Sequence, residues 1–224
     1  MKLLNVNRNA KTIKNLKKGY LTGILYLAPS KILCPACSEG CRKSCLFSSG
    51  RGQMPSVYKP RQRKTRMFLE RPEAFKEYLK ADIQMLCAIA KDKNLKPSVR
   101  INGTSDIDVC RDLKEVLEAF PDVQFYDYTK RIDVLFKERP DNYYLCFSRS
   151  ENTSEDFIVD LLTRGINVAI VFDEVPKEWK GVPVIDGDET DLRFLDPKGV
   201  IVGLKAKGKA KKDTTGFVIR MKGK

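Results

Sequence analysis

Residues 97–131, PSVRINGTSDIDVCRDLKEVLEAFPDVQFYDYTKR, decide the fold. Ser98 to Asn102 reads as a strand rich in branched residues, followed by the polar NGTSD. Asp108 can cap a helix whose apolar positions Leu113, Val116 and Leu117 recur at helical spacing, and Pro121 ends it. A second strand then runs from Val123 to Tyr128. Strand, helix and strand in so short a stretch form the βα unit of a mostly parallel sheet.

The same pattern continues on both sides. Further strands are expected at Tyr143 to Phe147, Asn167 to Phe172, Pro183 to Ile185 and Val200 to Leu204, with Tyr20 to Leu27 before them. Leu79, Ile83, Leu86 and Ala90 form a helical stripe beside Cys87, which reads as core. Thr153 with Asp156 resembles a capping box opening a helix through Phe157 and Leu162, which Gly165 closes. The chain has 224 residues, close to the roughly 200 at which closed eight-unit barrels begin. The expected fold is therefore a single α/β domain over 1–224: a partial or cropped TIM-like barrel of βα units, with a cysteine-rich cluster loop (about 29–53) after the first strand.

In parallel α/β folds the residues that follow each strand line one face. Here the strands end in NGTSD, YDYTKR, SRSE, DE, DGDETD and KAKG. This makes Asn102, Asp106, Asp127, Lys130, Arg149, Asp186, Asp188 and Lys205 candidates to line a cleft, with Ser148 beside them. Helix caps, turns and surface ion pairs are the plainer alternative for the carboxylates.

The second motif is CPACSEGCRKSC, which sets Cys34, Cys37, Cys41 and Cys45 at spacings of x2, x3 and x3. The chain contains no histidine, so a metal must be held by thiolate or oxygen. Structural zinc usually draws on two separated pairs, whereas one tight run suits an iron–sulfur cluster, here of the 4Fe–4S type. Zinc is the second reading, and a helix burying positions 37, 41 and 45 is the third. Pro35 and Gly40 would interrupt that helix, and Arg42 and Lys43 would expose it. Arg42, Lys43 and Arg51 would also favour the thiolates. Cys110 and Cys146 read as core.

The net charge is +13, which points to an anionic partner. Basic residues gather at Arg8, Lys11, Lys14, Lys17 and Lys18, and again at Arg61, Arg63, Lys64 and Arg66. The third group is Lys205, Lys207, Lys209, Lys211, Lys212, Arg220, Lys222 and Lys224. Such clusters suit a nucleic-acid or other polyanion surface, the alternative being a merely solvated one. KAKGKAKK, within about 205–213, is expected to be loose and to order on binding. No apolar run approaches the roughly 18 residues of a membrane span, and the first twenty residues lack the features of an export signal.

Several long stretches carry a family resemblance: GYLTGILYLAPSKILCPACSEGCRKSCLFSSGRGQ, VRINGTSDI, VQFYDYTKR, NYYLCFSRSE, NVAIVF and IDGDETDLRFLDPKGVIVGLKAKGKAKKDTTGFVIR. Together they resemble the phage family known as gene product 88. The resemblance implies a viral protein of the infected host's cytoplasm, and supplies no activity. The family's recurring cysteines match Cys34, Cys41 and Cys45, while the position of Cys37 is usually another residue. A cluster loop after a strand of a βα fold is also similar, more weakly, to radical S-adenosylmethionine enzymes. Their C-x3-C-x2-C is not matched, because Cys45 comes one residue late after Cys37 and Cys41, and no Gly-Gly-Glu segment follows the next strand. Three functions follow: an iron–sulfur protein with a polyanion-binding surface, an enzyme that binds substrate or cofactor at an open cluster iron, and a zinc-stabilised interaction module.

Overall fold

A computed structural model describes residues 1–6, 10–48 and 50–221. Arg8, Lys222 and Lys224 lie outside the described residues, as does the side chain of Lys11. The elements run β1 (Leu4–Val6), α1 (Ala10–Leu16), β2 (Tyr20–Leu25), α2 (Glu39–Lys43), α3 (Pro55–Glu70), α4 (Pro72–Asp92) and β3 (Lys96–Arg100). They continue with α5 (Val109–Asp112), α6 (Lys114–Ala119), β4 (Gln124–Thr129), α7 (Ile132–Leu135), β5 (Tyr143–Ser148), α8 (Glu155–Thr163) and β6 (Val168–Phe172). The chain closes with β7 (Glu178–Trp179), β8 (Val182–Asp186), β9 (Ile201–Lys205) and β10 (Val218–Ile219).

One ten-stranded sheet organises the protein, in the order β1-β2-β3-β4-β5-β6-β9-β8-β7, with β10 pairing to β6. Strands β2 to β6, β9 and β8 are mutually parallel, and β1 and β7 are antiparallel edges. Among the described residues the sheet is not closed. All seven strands expected from the sequence are present within two residues, and most are runs of buried branched or aromatic side chains, whereas Val182–Asp186 is only half-buried. The three unforeseen strands have two or three residues, too few to show a period. Since β1 comes first, the cysteine segment follows the second strand rather than the first.

The core lies between the sheet and its helices. Leu79, Ile83, Leu86 and Ala90 of α4 are buried against Leu21, Leu25, Val99 and Phe125, as the stripe predicts. Asp82 of the same helix accepts the amide N–H groups of Leu3 (2.5 Å) and Leu4 (2.8 Å), anchoring the edge strand. Asp108 caps as expected, accepting from the N–H of Arg111, but the helix that follows breaks at Leu113 into α5 and α6. The cap of α8 is Ser154, not Thr153; its hydroxyl accepts from Phe157, while Thr153 accepts from Ser150. Gly165, with φ of 75°, ends that helix in the left-handed conformation glycine favours.

The opposite face of the sheet combines a small apolar cluster, Cys146, Ala169 and Val202, with buried polar groups, and the connection from β8 to β9 packs on it. Arg100 pairs with Asp191 at 3.1 Å and stacks on Tyr128 at 4.7 Å, and the Tyr126 hydroxyl donates to Asp191. Phe194 sits between Tyr20 and Tyr126, at 5.1 and 5.4 Å. Lys18, just before β2, lines one cleft with Ile185 and Asp186 of β8. In a flat sheet, six strand spacings would hold β2 and β8 about 29 Å apart, so the sheet is strongly curled.

Candidate functional site

Parallel pairing places the ends of β2, β3, β4, β5, β8 and β9 on one edge of the sheet, and the cysteine segment crosses there. Its position is fixed from several sides. The Thr104 hydroxyl donates to Leu27 O (2.6 Å), Asp106 N to Leu33 O (2.7 Å), and Ala28 N to the Thr65 hydroxyl (2.8 Å). Cys37 N closes a tight turn onto Cys34 O at 3.1 Å. Ser38 then caps α2 by accepting from Cys41 N, and Ser48 donates back to Cys45 O from both its amide and its hydroxyl.

Helix α2 has only five residues, too few to persist by its own hydrogen bonds. Glu151 supports it from the end of β5: one carboxylate oxygen accepts from the Ser38 hydroxyl, the other from Gly40 N, both at 2.6 Å. These donors hold the Glu151 carboxyl below its ordinary range despite partial burial. A Cβ on Gly40 would lie 2.2 Å from Thr215 Oγ1 and 2.5 Å from Phe217 Cβ, so only glycine allows this approach. Cys41 packs on a small cluster formed by Ala206, Ala210, Phe217 and Val218.

The four thiols are free and partly buried. Burial pushes Cys34 up to about 12, with Asp106, Cys45 and Cys37 adding to it. Burial raises Cys41 too, opposed by Lys130 and reinforced by Cys45 and Cys37. Cys45 is raised by burial, against the Phe47 amide, Arg61 and Lys130, with Cys37 again adding. Each of these three thiols therefore feels Cys37, and the four share one electrostatic environment. Among the described residues, no group of three or more Cys, Asp or Glu is placed to hold a single metal ion.

Several strand-end candidates adjoin the thiols. Asp106 accepts from the Thr129 hydroxyl (2.8 Å) and Lys130 N (2.9 Å), and burial raises its carboxyl against those donors. Lys130 Nζ donates to the Ser148 hydroxyl at 2.6 Å and stands over the Phe217 ring at 5.3 Å. Arg149 donates to Gly216 O and Phe217 O. Asn102 is buried; its side chain accepts from Ser105 and Ile107. Asp127 is a buried brace and not a cleft group: it accepts from Asn102 N (2.6 Å) and the Tyr143 hydroxyl (3.1 Å), and burial lifts its carboxyl to about 7. Asp186 accepts from Asp188 N, and Asp188 bonds Lys205 N and pairs with Lys207 at 2.7 Å.

The two basic runs diverge. Lys64 of α3 is buried and donates to Leu3 O, so it is not a polyanion contact. Arg61 also turns inward, its guanidinium between Tyr26 (4.7 Å) and Phe47 (5.6 Å), with Nη1 buried and lacking a hydrogen-bond partner. Arg63 and Arg66 are exposed. In the second run, Lys205, Lys207, Lys209, Lys211 and Lys212 are all exposed around the 3-10 turn Gly208–Lys212. Gly40, expected to interrupt a helix, lies inside α2. Glu151, Phe217 and the inward role of Arg61 were not foreseen from the sequence; the SRSE motif held a local hint for Glu151.

Fold and site together define a mixed α/β protein with an open ten-stranded sheet, bearing a four-cysteine segment on the edge where its parallel strands end. The chain belongs to the family described as gene product 88, whose profile matches residues 2–221. No curated protein and no solved structure matches the chain. The likeness to radical S-adenosylmethionine enzymes thus gains no support. Among the described residues, no helix is long and apolar enough to cross a membrane.

Proposed function

We propose that Cys34, Cys37, Cys41 and Cys45 hold an iron–sulfur cluster, of the 4Fe–4S type, with a structural or redox-sensing role. In this reading the protein is a phage protein of the infected cell's cytoplasm, and its adjoining basic surface meets nucleic acid or another polyanion. The observation that carries it is four free thiols near enough to act on one another, with Lys130 acting on Cys41 and Cys45 and Arg61 on Cys45. Burial keeps three of them protonated, and iron would displace those protons. Zinc would need its ligands gathered around one ion at about 2.3 Å, whereas a cluster accepts wider spacing because each thiolate takes its own iron. The cropped-barrel reading belongs here too. It is supported by the curl that brings β2 towards β8 and by the Arg100–Asp191 pair and small apolar cluster that fill the inner face.

Anaerobic purification with iron, zinc and sulfide analysis tests the reading. A brown protein containing iron and sulfide is expected. A colourless protein with one zinc would instead identify the zinc-stabilised interaction module.

A further inference from the structure

Resting on that cluster reading, we infer that the cysteine segment controls the nucleic-acid surface: the cluster-bearing form holds Lys209, Lys211 and Lys212 as a fixed array for phosphodiester backbones. The two parts share one packing unit. Cys41 packs on the buried cluster of Ala206, Ala210, Phe217 and Val218, whose two alanines alternate with the exposed lysines. In a 3-10 turn, positions i and i+3 eclipse at about 2 Å rise per residue. Lys209 and Lys212 therefore stand in line, about 6 Å apart along the axis, while buried Ala210 faces inward. Across the same contact Gly40 meets Thr215 and Phe217 without room for a methyl group. Arg149 fixes the carbonyls of Gly216 and Phe217, and Glu151 fixes α2.

The coupling follows from the size of the parts. The five-residue α2 depends on its contacts. Iron bound by Cys41 ties it to Cys34 and Cys45 as well. Without that tie, α2 loosens from this cluster, the turn whose Ala210 belongs to it loses inner packing, and the lysines become a disordered run. A pre-ordered array binds more tightly than one that must be ordered on contact. Phosphate contacts carry no base reading, so the surface should accept DNA and RNA of any sequence.

The test uses the full chain, purified anaerobically, and the same preparation stripped of iron by a chelator under reductant. Anisotropy titrations employ a labelled random-sequence DNA duplex and an RNA single strand at several salt concentrations. The loaded form should bind at least tenfold more tightly, with a salt slope steeper by about 0.9 for each additional phosphate held on duplex DNA. Gly40→Ala should lose both iron and binding. Should that variant fail to fold, the triple change Lys209→Glu, Lys211→Glu and Lys212→Glu, which touches only exposed side chains, keeps the test. It should abolish binding and leave iron content unchanged. Equal affinity and slope in the two forms, or unaltered binding by the triple variant, overturns the coupling while leaving the cluster intact. Absence of iron and sulfide from the starting protein overturns the cluster reading itself, and the inference with it.

Discussion

The runs 61–66 and 205–212 look alike in sequence, yet the structure uses them differently. The first lies on a helix whose period turns Arg61 and Lys64 inward and leaves Arg63 and Arg66 in solvent. The second alternates lysine with small residues, so Ala206 and Ala210 are buried and every lysine is exposed. A count of charges therefore predicts a polyanion surface poorly. The residues between the charges decide whether they face water, a carbonyl or a thiol.

The largest effect that would sharpen this contrast is on folding. Lys64→Met keeps the aliphatic stem but leaves Leu3 O without its donor, and should destabilise the protein by about 1–3 kcal/mol. Lys211→Met should stay within about 0.5 kcal/mol, as exposed substitutions do. Denaturant midpoints compare the two, and equal losses would erase the distinction.

Arg61 should matter through the cysteines. Its buried Nη1 lacks an acceptor, its charge acts on Cys45, and it spans Tyr26 and Phe47 on either side of the cysteine run. Arg61→Ala should therefore shorten the lifetime of the loaded form in air several-fold, followed by loss of visible absorbance, while Arg63→Ala should leave it unchanged. Identical decay would return Arg61 to the surface reading.

A buried acid extends the comparison. Asp127 has its carboxyl raised to about 7 by burial, above the ordinary value near 3.9. Between these values the folded state binds the extra proton, so this group's contribution to stability falls as pH rises from about 4 to about 7 and is constant above. Asp127→Asn removes that titration and keeps an acceptor for Asn102 N. Its stability relative to the parent should rise across the same window, measured by urea unfolding at several pH values. A difference independent of pH would show that Asp127 does not titrate there.

Much of the fold was legible because most of the parallel strands are short runs of buried apolar residues bounded by polar ones and the stripe of α4 is regular. The curl of the sheet was not, since Lys18, Asp191 and Phe194 meet their partners across long sequence separations. Nor was the role of Lys64, because a lysine beside other basic residues gives no sign that a carbonyl 61 positions away will take its proton donor. The place of the cysteine segment, directly after the strand that begins at Tyr20, was legible. The supports of that segment, Glu151 and Phe217, were not, being brought in from the turn after β5 and from the residue before β10.

The central claim is tested most directly by iron and sulfide per chain in the anaerobically purified protein and in a variant with Cys34, Cys41 and Cys45 all changed to Ala. The account predicts about four of each in the parent, as a 4Fe–4S cluster holds, and none in the variant. Full iron retained by the variant, or a parent that carries neither iron nor sulfide, would contradict it.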